Sequence, residues 1–131
     1  MTDRSELPEP VKQFIREHIS SVEQLEILLY LHRIAPQKAS AEEIAQSLYL
    51  SAESVASRLE VFRDHGLLSA TVGPTLYFAL HPSAPKIMEG VAELIRCYRE
   101  RRVSVINFIF SNPIATIQSF ADAFIVRKKE G

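Results

Sequence analysis

The side chains best suited to chemistry in this chain of 131 residues are scattered rather than clustered. Its four histidines, His18, His32, His65 and His81, include no pair four residues apart, the spacing at which two histidines on one helix share a metal ion. Isolated surface or helix-capping histidines explain this pattern better than a metal centre. We therefore expect neither a metal site nor a bound cofactor.

Nucleophilic catalysis has no better support in the sequence. The lone cysteine, Cys97, is interpreted as a packed, inert thiol; a redox-sensitive thiol, its pKa lowered by Arg96 and Arg99, is the alternative. The carboxylates show no evident pairing with a base or nucleophile. With four glycines in all, the chain also has no glycine-rich phosphate loop. These observations predict a protein that is not an enzyme.

Lysine and arginine are the remaining candidates, because they neutralise the phosphates of nucleic acids. Their distribution is uneven: residues 1–83 hold seven basic against eleven acidic side chains, a net charge of −4, and residues 84–131 hold eight against five, a net of +3. Four arginines in the basic part form either a phosphate-contacting surface or, as we favour, a solvated helix face: Arg96, Arg99, Arg101 and Arg102.

Capping signals and hydrophobic periodicity define the elements that must position these side chains. Ser40 with Glu43 is a capping box that starts a helix ending near Tyr49, and Ser51 caps a second helix, 52–65, which Gly66 ends. From Leu68 to Leu80 apolar residues alternate with small or polar ones, which predicts a short hairpin. The flanking segments are predicted to be helical, at 8–20, 22–34, about 84–111 and 113–128.

The block from Ala39 to Leu80 resembles the winged helix-turn-helix of bacterial transcriptional regulators of the MarR-like group. Besides the order of elements, the resemblance is carried by Ala45, a small residue where the two helices approach closely, and by Gly66 followed by the apolar pair Leu67 and Leu68. Leu48 and Leu50 are expected to flank the turn and point into the core, and the second helix is expected to pack on the first through Val55, Leu59 and Phe62. One departure is Tyr49, which stands at the turn position usually held by a small residue.

The resemblance implies a mainly α fold, a winged helix-turn-helix with a two-stranded hairpin and helical extensions at both ends. It implies one domain over residues 1–131, with the winged helix at 21–82, an N-terminal helix at 8–20 and C-terminal helices for dimerisation or interaction at 83–129. The helix 52–65 would be the recognition helix and 67–81 the wing. Outward-facing positions are expected at 52, 53, 54, 57, 58 and 60.

Double-stranded DNA is the partner that this resemblance implies. The expected DNA-binding residues are Ser51, Ser54, Ser57, Arg58, Arg63 and Lys38. The charge of the block argues against strong binding, because residues 40–83 contain two arginines and five acidic side chains, and residues 69–80 contain no basic residue. The alternative is a winged-helix adaptor that binds a regulatory protein through its basic, apolar C-terminal helices.

The C-terminal helices carry more apolar surface than a small domain needs, which predicts a homodimer. Its interface, or the surface that binds another protein, is expected at Ile87, Val91, Leu94, Tyr98, Val105, Phe108, Ile114, Ile117, Phe120 and Phe124. The apolar stripe of the predicted final helix, from Ile114 to Phe124, is explained better by packing on another helix than by binding to a membrane surface.

The composition, 47% hydrophobic and 24% charged residues, is that of a globular domain. The N-terminus lacks a secretory signal, and no apolar run approaches the roughly 18 residues that cross a bilayer. Together with the lone cysteine, these features predict a soluble, cytoplasmic protein.

Overall fold

The computed structural model describes residues 7–111, so the predicted final helix and its residues Ile114, Ile117, Phe120 and Phe124 lie outside the described residues. The elements follow in the order α1 (Glu9–His18), α2 (Val22–Ile34), β1 (Ala39–Ser40), α3 (Ala41–Leu48), α4 (Ala52–Asp64), β2 (Leu68–Thr71), β3 (Tyr77–Leu80), α5 (Pro85–Glu100) and α6 (Arg102–Ser111). The mainly helical class is confirmed. No described helix combines the length and the apolar character needed to span a membrane.

The chain divides into two compact units. One is formed by residues 23–92, and the other contains the described residues 7–22 and 93–111. The first unit holds α3, α4 and the hairpin; the predicted boundaries of the winged helix were 21 and 82. The prediction of a single domain over the whole chain stays a prediction.

The two helices α3 and α4 begin where the capping residues predict. Ser40 and Glu43 form the reciprocal capping box of α3, and the Ser51 side chain accepts a hydrogen bond from the backbone N–H of Ser54 at the start of α4. The apolar positions of α4 at 55, 59 and 62 are fully buried, and Ala45 of α3 is buried as well. Leu48 and Leu50 are half-buried, so the expectation that both point into the core was only partly right.

Tyr49 makes the turn between α3 and α4 in the left-handed conformation, with φ 59° and ψ 43°. Its backbone N–H donates to the carbonyl of Ala45, which closes the last turn of α3. The side chain is 95% exposed, so it costs no space in the core. A position that normally favours glycine therefore tolerates tyrosine, at the expense of backbone strain.

The sheet has three antiparallel strands in the order β1-β3-β2, where a two-stranded hairpin was predicted. The additional strand, β1, is two residues long and pairs Ala39 with Phe78 and Ser40 with Tyr77. Gly66, with φ +82°, leads from α4 to β2 as predicted. The hairpin therefore follows α4 directly in the chain, and its strand β3 is hydrogen-bonded to β1.

In the second unit, α1 is buried through the apolar face that the sequence predicts, with Val11, Phe14, Ile15 and Ile19 all buried. The guanidinium carbon of Arg16 lies 5.4 Å from the ring centre of Phe108 in α6. The predicted long helix is divided at Arg101 into α5 and α6. The ladder nevertheless continues, because the Arg101 N–H donates to the Cys97 carbonyl at 2.6 Å and the Val105 N–H donates to the Arg101 carbonyl at 3.0 Å.

Candidate nucleic-acid interface

Helix α4 has three chemically distinct sides. Its buried side carries Val55, Leu59 and Phe62. The opposite side follows the helical spacing 53, 57, 60 and 64, and its residues are all exposed: Glu53, Ser57, Glu60 and Asp64. The outer side of α4 is therefore acidic, with Ser57 as its one uncharged residue among these four.

A flank between these two sides holds Ser54 and Arg58, one helical turn apart. Both are half-buried, and both donate a hydrogen bond to the same carboxylate oxygen, Oε1 of Glu23 in α2. The Nε of Arg58 lies 3.1 Å from that oxygen. Ser54 and Arg58 were predicted to face outward from α4. The structure places them instead on the flank nearest Glu23.

The other predicted DNA-binding residues are dispersed over this unit. Arg63 lies on the far flank of α4, where its terminal nitrogen is 3.6 Å from the carboxylate of Glu60. Lys38 precedes β1, and its Nζ lies 5.7 Å from the ring centre of Tyr77 in β3. Ser51 is committed to the N-cap of α4. The structure thus brings Ser54 and Arg58 together and places the cations Lys38 and Arg63 at separate points.

An open groove of about 360 Å³ is lined by residues of α3, α4 and the hairpin. Its floor is largely apolar, and its two charged lining residues are both acidic, since it is formed by Ala41, Glu42, Ala56, Glu60, Pro74, Thr75, Leu76 and Phe78. At the tip of the hairpin Val72 is 84% exposed. The hairpin therefore has the position of a wing but offers shape and apolar contact rather than charge.

Glu23 is the functional candidate that the sequence did not reveal. Its partners Ser54 and Arg58 lie 31 and 35 residues further along the chain. No capping rule or periodicity connects positions so far apart, because the pairing depends on where the fold places the start of α2 relative to α4. The sequence contains one indirect signal. Arg58 lies three residues after Val55 and four before Phe62, the helical spacing of the buried side of α4, where a charged residue is unusual.

Six of the residues predicted for a dimer or protein interface lie within the described part of the chain. Val91, Leu94 and Val105 are buried, and Ile87, Tyr98 and Phe108 are half-buried. The large apolar side chains that α5 and α6 leave exposed are Met88, Val103 and Phe110, none of which was predicted. Helical periodicity identifies an apolar stripe but does not say whether the chain itself covers it.

The remaining reactive side chains favour structural roles. Burial raises the pKa of the Cys97 thiol, and this outweighs the opposing effect of Arg101 and Arg96. A raised pKa is the opposite of what a redox-sensitive thiolate needs. Arg96 pairs with Glu93, and Arg102 lies over the ring of Tyr98, as expected for a solvated helix face.

Metal ligation finds no candidate within residues 7–111, where no three or more His, Cys, Asp or Glu side chains are grouped so that they could hold an ion.

No protein-family model and no curated protein sequence matches this chain. Solved structures do. A MepR mutant from S. aureus bound to an oligodeoxyribonucleotide is 14% identical, with a TM-score of 0.54 over 92% of this chain and 87% of that one. A MarR family protein from Bacillus stearothermophilus is 13% identical, with a TM-score of 0.50 over 92% of this chain and 81% of that one.

The chain has a MarR-like winged-helix fold. The resemblance inferred from Ala39 to Leu80 is confirmed at the level of fold. In this MarR-like winged helix α3 and α4 are the helix-turn-helix pair, and β2 and β3 are the wing. At 13–14% identity the likeness concerns the fold alone.

Proposed function

We propose that this protein is a DNA-binding transcription regulator that acts as a homodimer, with α4 as the recognition helix and residues 67–81 as the wing. The observation that carries the proposal is the placement of an N-capped, solvent-facing α4 beside a hairpin, in a fold shared with a solved structure bound to an oligonucleotide. The protein's role is binding, and no catalytic step is proposed.

Electrostatics determines how such binding would work here. The exposed side of α4 is acidic, so phosphate contacts fall to cations at its edges, and Arg58, Arg63 and Lys38 are the candidates. Ser57 is the uncharged side chain placed to meet a base edge or a phosphate. Few phosphate contacts from each protomer imply weak non-specific binding, and a second protomer would double them.

Fluorescence anisotropy of labelled genomic fragments, titrated with the full chain over a range of salt concentrations, tests the proposal. We expect saturable binding that weakens as salt rises, with log K falling by about 0.9 for each phosphate neutralised per decade of salt. Arg58→Ala should lower that slope, and Arg33→Ala, on α2, serves as the control for loss of an exposed cation. Absence of saturation at low salt would contradict the proposal.

The homodimer is tested separately by sedimentation of the full chain over a range of concentrations. We expect a dimer at the concentrations at which DNA binds, because two recognition helices reading a palindromic site require two protomers. A monomer throughout this range would contradict the dimer while leaving DNA binding open.

A second candidate function is a winged-helix adaptor that binds a regulatory protein, and the acidic side of α4 favours it. Glu53, Glu60 and Asp64 suit a basic protein surface better than a phosphate backbone. In the form of this hypothesis that the sequence suggests, the basic, apolar C-terminal helices bind the partner.

Pull-downs with the full chain and with a chain lacking residues 113–131 test binding through the C-terminal helices. An unchanged set of partners would contradict it.

A further inference from the structure

We propose that Glu23 is a positioning residue for DNA binding. It holds the side chain of Arg58 on the flank of α4 so that the guanidinium presents its terminal nitrogens to a DNA phosphate beside the helix. This inference rests on the proposed function, and it adds how the side chain of Arg58 would be held for contact with the DNA backbone.

The contact has the form of a clamp between two helices. One oxygen of Glu23, in the first turn of α2, accepts from Ser54 and from Arg58, which are successive-turn residues of α4. The side chains of Arg58 and Glu23 are 32% and 25% exposed, so the pair is shielded more than a surface ion pair and is weakened less by salt.

The atom through which Arg58 is held decides what remains available. Glu23 contacts Nε, which leaves the two terminal nitrogens as a pair that can meet a phosphate in a bidentate arrangement. A carboxylate that occupied both terminal nitrogens would block phosphate binding. A carboxylate on Nε instead restricts the long side chain, so less conformational freedom is lost when the phosphate binds.

The position of the clamp also suits a phosphate. Ser54 and Arg58 lie between the buried side of α4 and its acidic outer side. A DNA backbone that approaches this flank meets Arg58 without passing directly over Glu53, Ser57 and Glu60. Contacts of this kind determine the orientation of a recognition helix on DNA and carry no sequence information themselves.

The test is a double-mutant cycle measured by anisotropy on the full chain, with a DNA fragment that the wild type binds. Glu23→Ala and Arg58→Ala should each weaken binding, by roughly three- to tenfold, the range of one hydrogen-bonded contact. In the Arg58→Ala background, Glu23→Ala should have almost no further effect. Glu23→Gln keeps an oxygen that can accept both hydrogen bonds, so it should retain binding close to the wild type.

Glu26→Ala, an exposed glutamate nearby on α2, is the matched control and should leave affinity unchanged or slightly raised. Tighter binding by Glu23→Ala would overturn the proposal, because Glu23 would then withhold Arg58 from DNA. An equal loss with and without Arg58 would also overturn it, because Glu23 would then act through the fold. Chemical unfolding of each variant identifies those that merely fail to fold.

A measurement without DNA separates this proposal from the proposed function. In NMR spectra of the free protein the Nε–H signal of Arg58 should be protected from exchange, should lose protection in Glu23→Ala and should keep it in Glu26→Ala. Loss of protection confined to Glu23→Ala supports the clamp even before DNA is added. A wild type that keeps the clamp but binds no DNA would overturn both the positioning role and the proposed function, whereas a wild type that binds DNA with Arg58 unprotected would overturn the positioning role alone.

Discussion

Ser40 and Glu43 exchange two hydrogen bonds at the start of α3. The Ser40 hydroxyl accepts from the Glu43 backbone N–H at 3.2 Å, and the Glu43 carboxylate accepts from the Ser40 backbone N–H at 2.8 Å. This pair satisfies two backbone donors that a helix otherwise leaves without intrahelical partners. It also sets the first residue of the helix-turn-helix pair.

Ser40→Ala should therefore lower the free energy of unfolding by about 1 kcal/mol, and by more if the lost acceptor leaves a buried donor unpaired. Glu43→Ala should lower it too, because it removes the other hydrogen bond of the box. Urea unfolding measures each change. Gln46→Ala, at an exposed position of the same helix, should be neutral or slightly stabilising; losses no larger than that of this control in both Ser40→Ala and Glu43→Ala would refute a stabilising role of the box.

Tyr49→Gly should raise the free energy of unfolding by about 0.5–1 kcal/mol. Glycine relieves the left-handed strain at φ 59°. The free energy gained in this way exceeds the cost of the extra conformational entropy that glycine gives the unfolded chain. The exposed ring loses little packing on removal. Gln46→Gly, within α3, should instead cost about 1 kcal/mol. A loss of stability in Tyr49→Gly similar to that of the control would show that the left-handed turn is not strained.

Gly66→Ala should destabilise the first unit by roughly 1–3 kcal/mol, from the positive φ of +82° alone. A Cβ there would also overlap the Oγ of Ser83. The pair Gly66→Ala with Ser83→Ala should recover the part due to overlap and keep the part due to φ. Gly73→Ala is the matched control, since its Cβ would lie 3.7 Å from the nearest atom, a carbonyl oxygen of Thr75. Thermal unfolding compares the wild type with these three variants. Equal losses of stability in Gly66→Ala and Gly73→Ala would show that neither the positive φ nor the overlap at position 66 matters.

The buried thiol of Cys97 predicts a dependence of stability on pH. Its pKa is raised in the folded state, mainly by burial, so the folded chain retains this proton at pH values where the unfolded chain releases it. The unfolded state then binds fewer protons, and the free energy of unfolding falls as pH rises above the ordinary thiol pKa of about 8.5. Below that pH the contribution is fully present.

Urea unfolding at a series of pH values from neutral to alkaline should show this decline in the wild type and a smaller one in Cys97→Ala. A disulfide reagent such as Ellman's should react slowly with the native chain and rapidly after unfolding. Rapid reaction of the folded protein would revive the redox-sensitive interpretation.

Neutralising the outer side of α4 should strengthen DNA binding if DNA is the partner. Glu53→Gln with Glu60→Gln removes two charges that would lie within a Debye length of the phosphates, and we expect about a two- to fivefold gain at low salt. Glu89→Gln, an exposed site in α5, controls for the change in net charge. Weaker DNA binding in the double variant would indicate that these carboxylates accept hydrogen bonds from base edges. An unchanged, negligible affinity in all of them would favour the protein adaptor.

Local signals in the sequence predict much of this fold. Ser40 with Glu43, Ser51 and Gly66 mark the ends of α3 and α4 through interactions within a few residues, and the structure confirms all of them. The fold class and the MarR-like resemblance follow from the order of these elements. Such signals work because each depends only on its immediate neighbours.

The features that the sequence did not predict are non-local. Strand β1 is too short to show alternation and exists because β3 lies beside it. The clamp of Glu23 on Arg58 joins residues 35 positions apart. For the same reason the outward-facing positions of α4 were only partly predicted. Helical spacing places Arg58 at an edge of α4, and only the tertiary structure shows that it meets Glu23 of α2 there.

Ser40 belongs to two structures at once, since it pairs with Tyr77 in the sheet and caps α3 as the residue before its first turn. The wing and the helix-turn-helix therefore share an anchor point with no flexible linker between them. A tilt of the hairpin on contact with a binding partner would move Ser40 through its pairing with Tyr77 and so displace the start of α3. Any contact at the wing tip should for this reason be felt at the first turn of α3, even though the wing itself carries no positive charge.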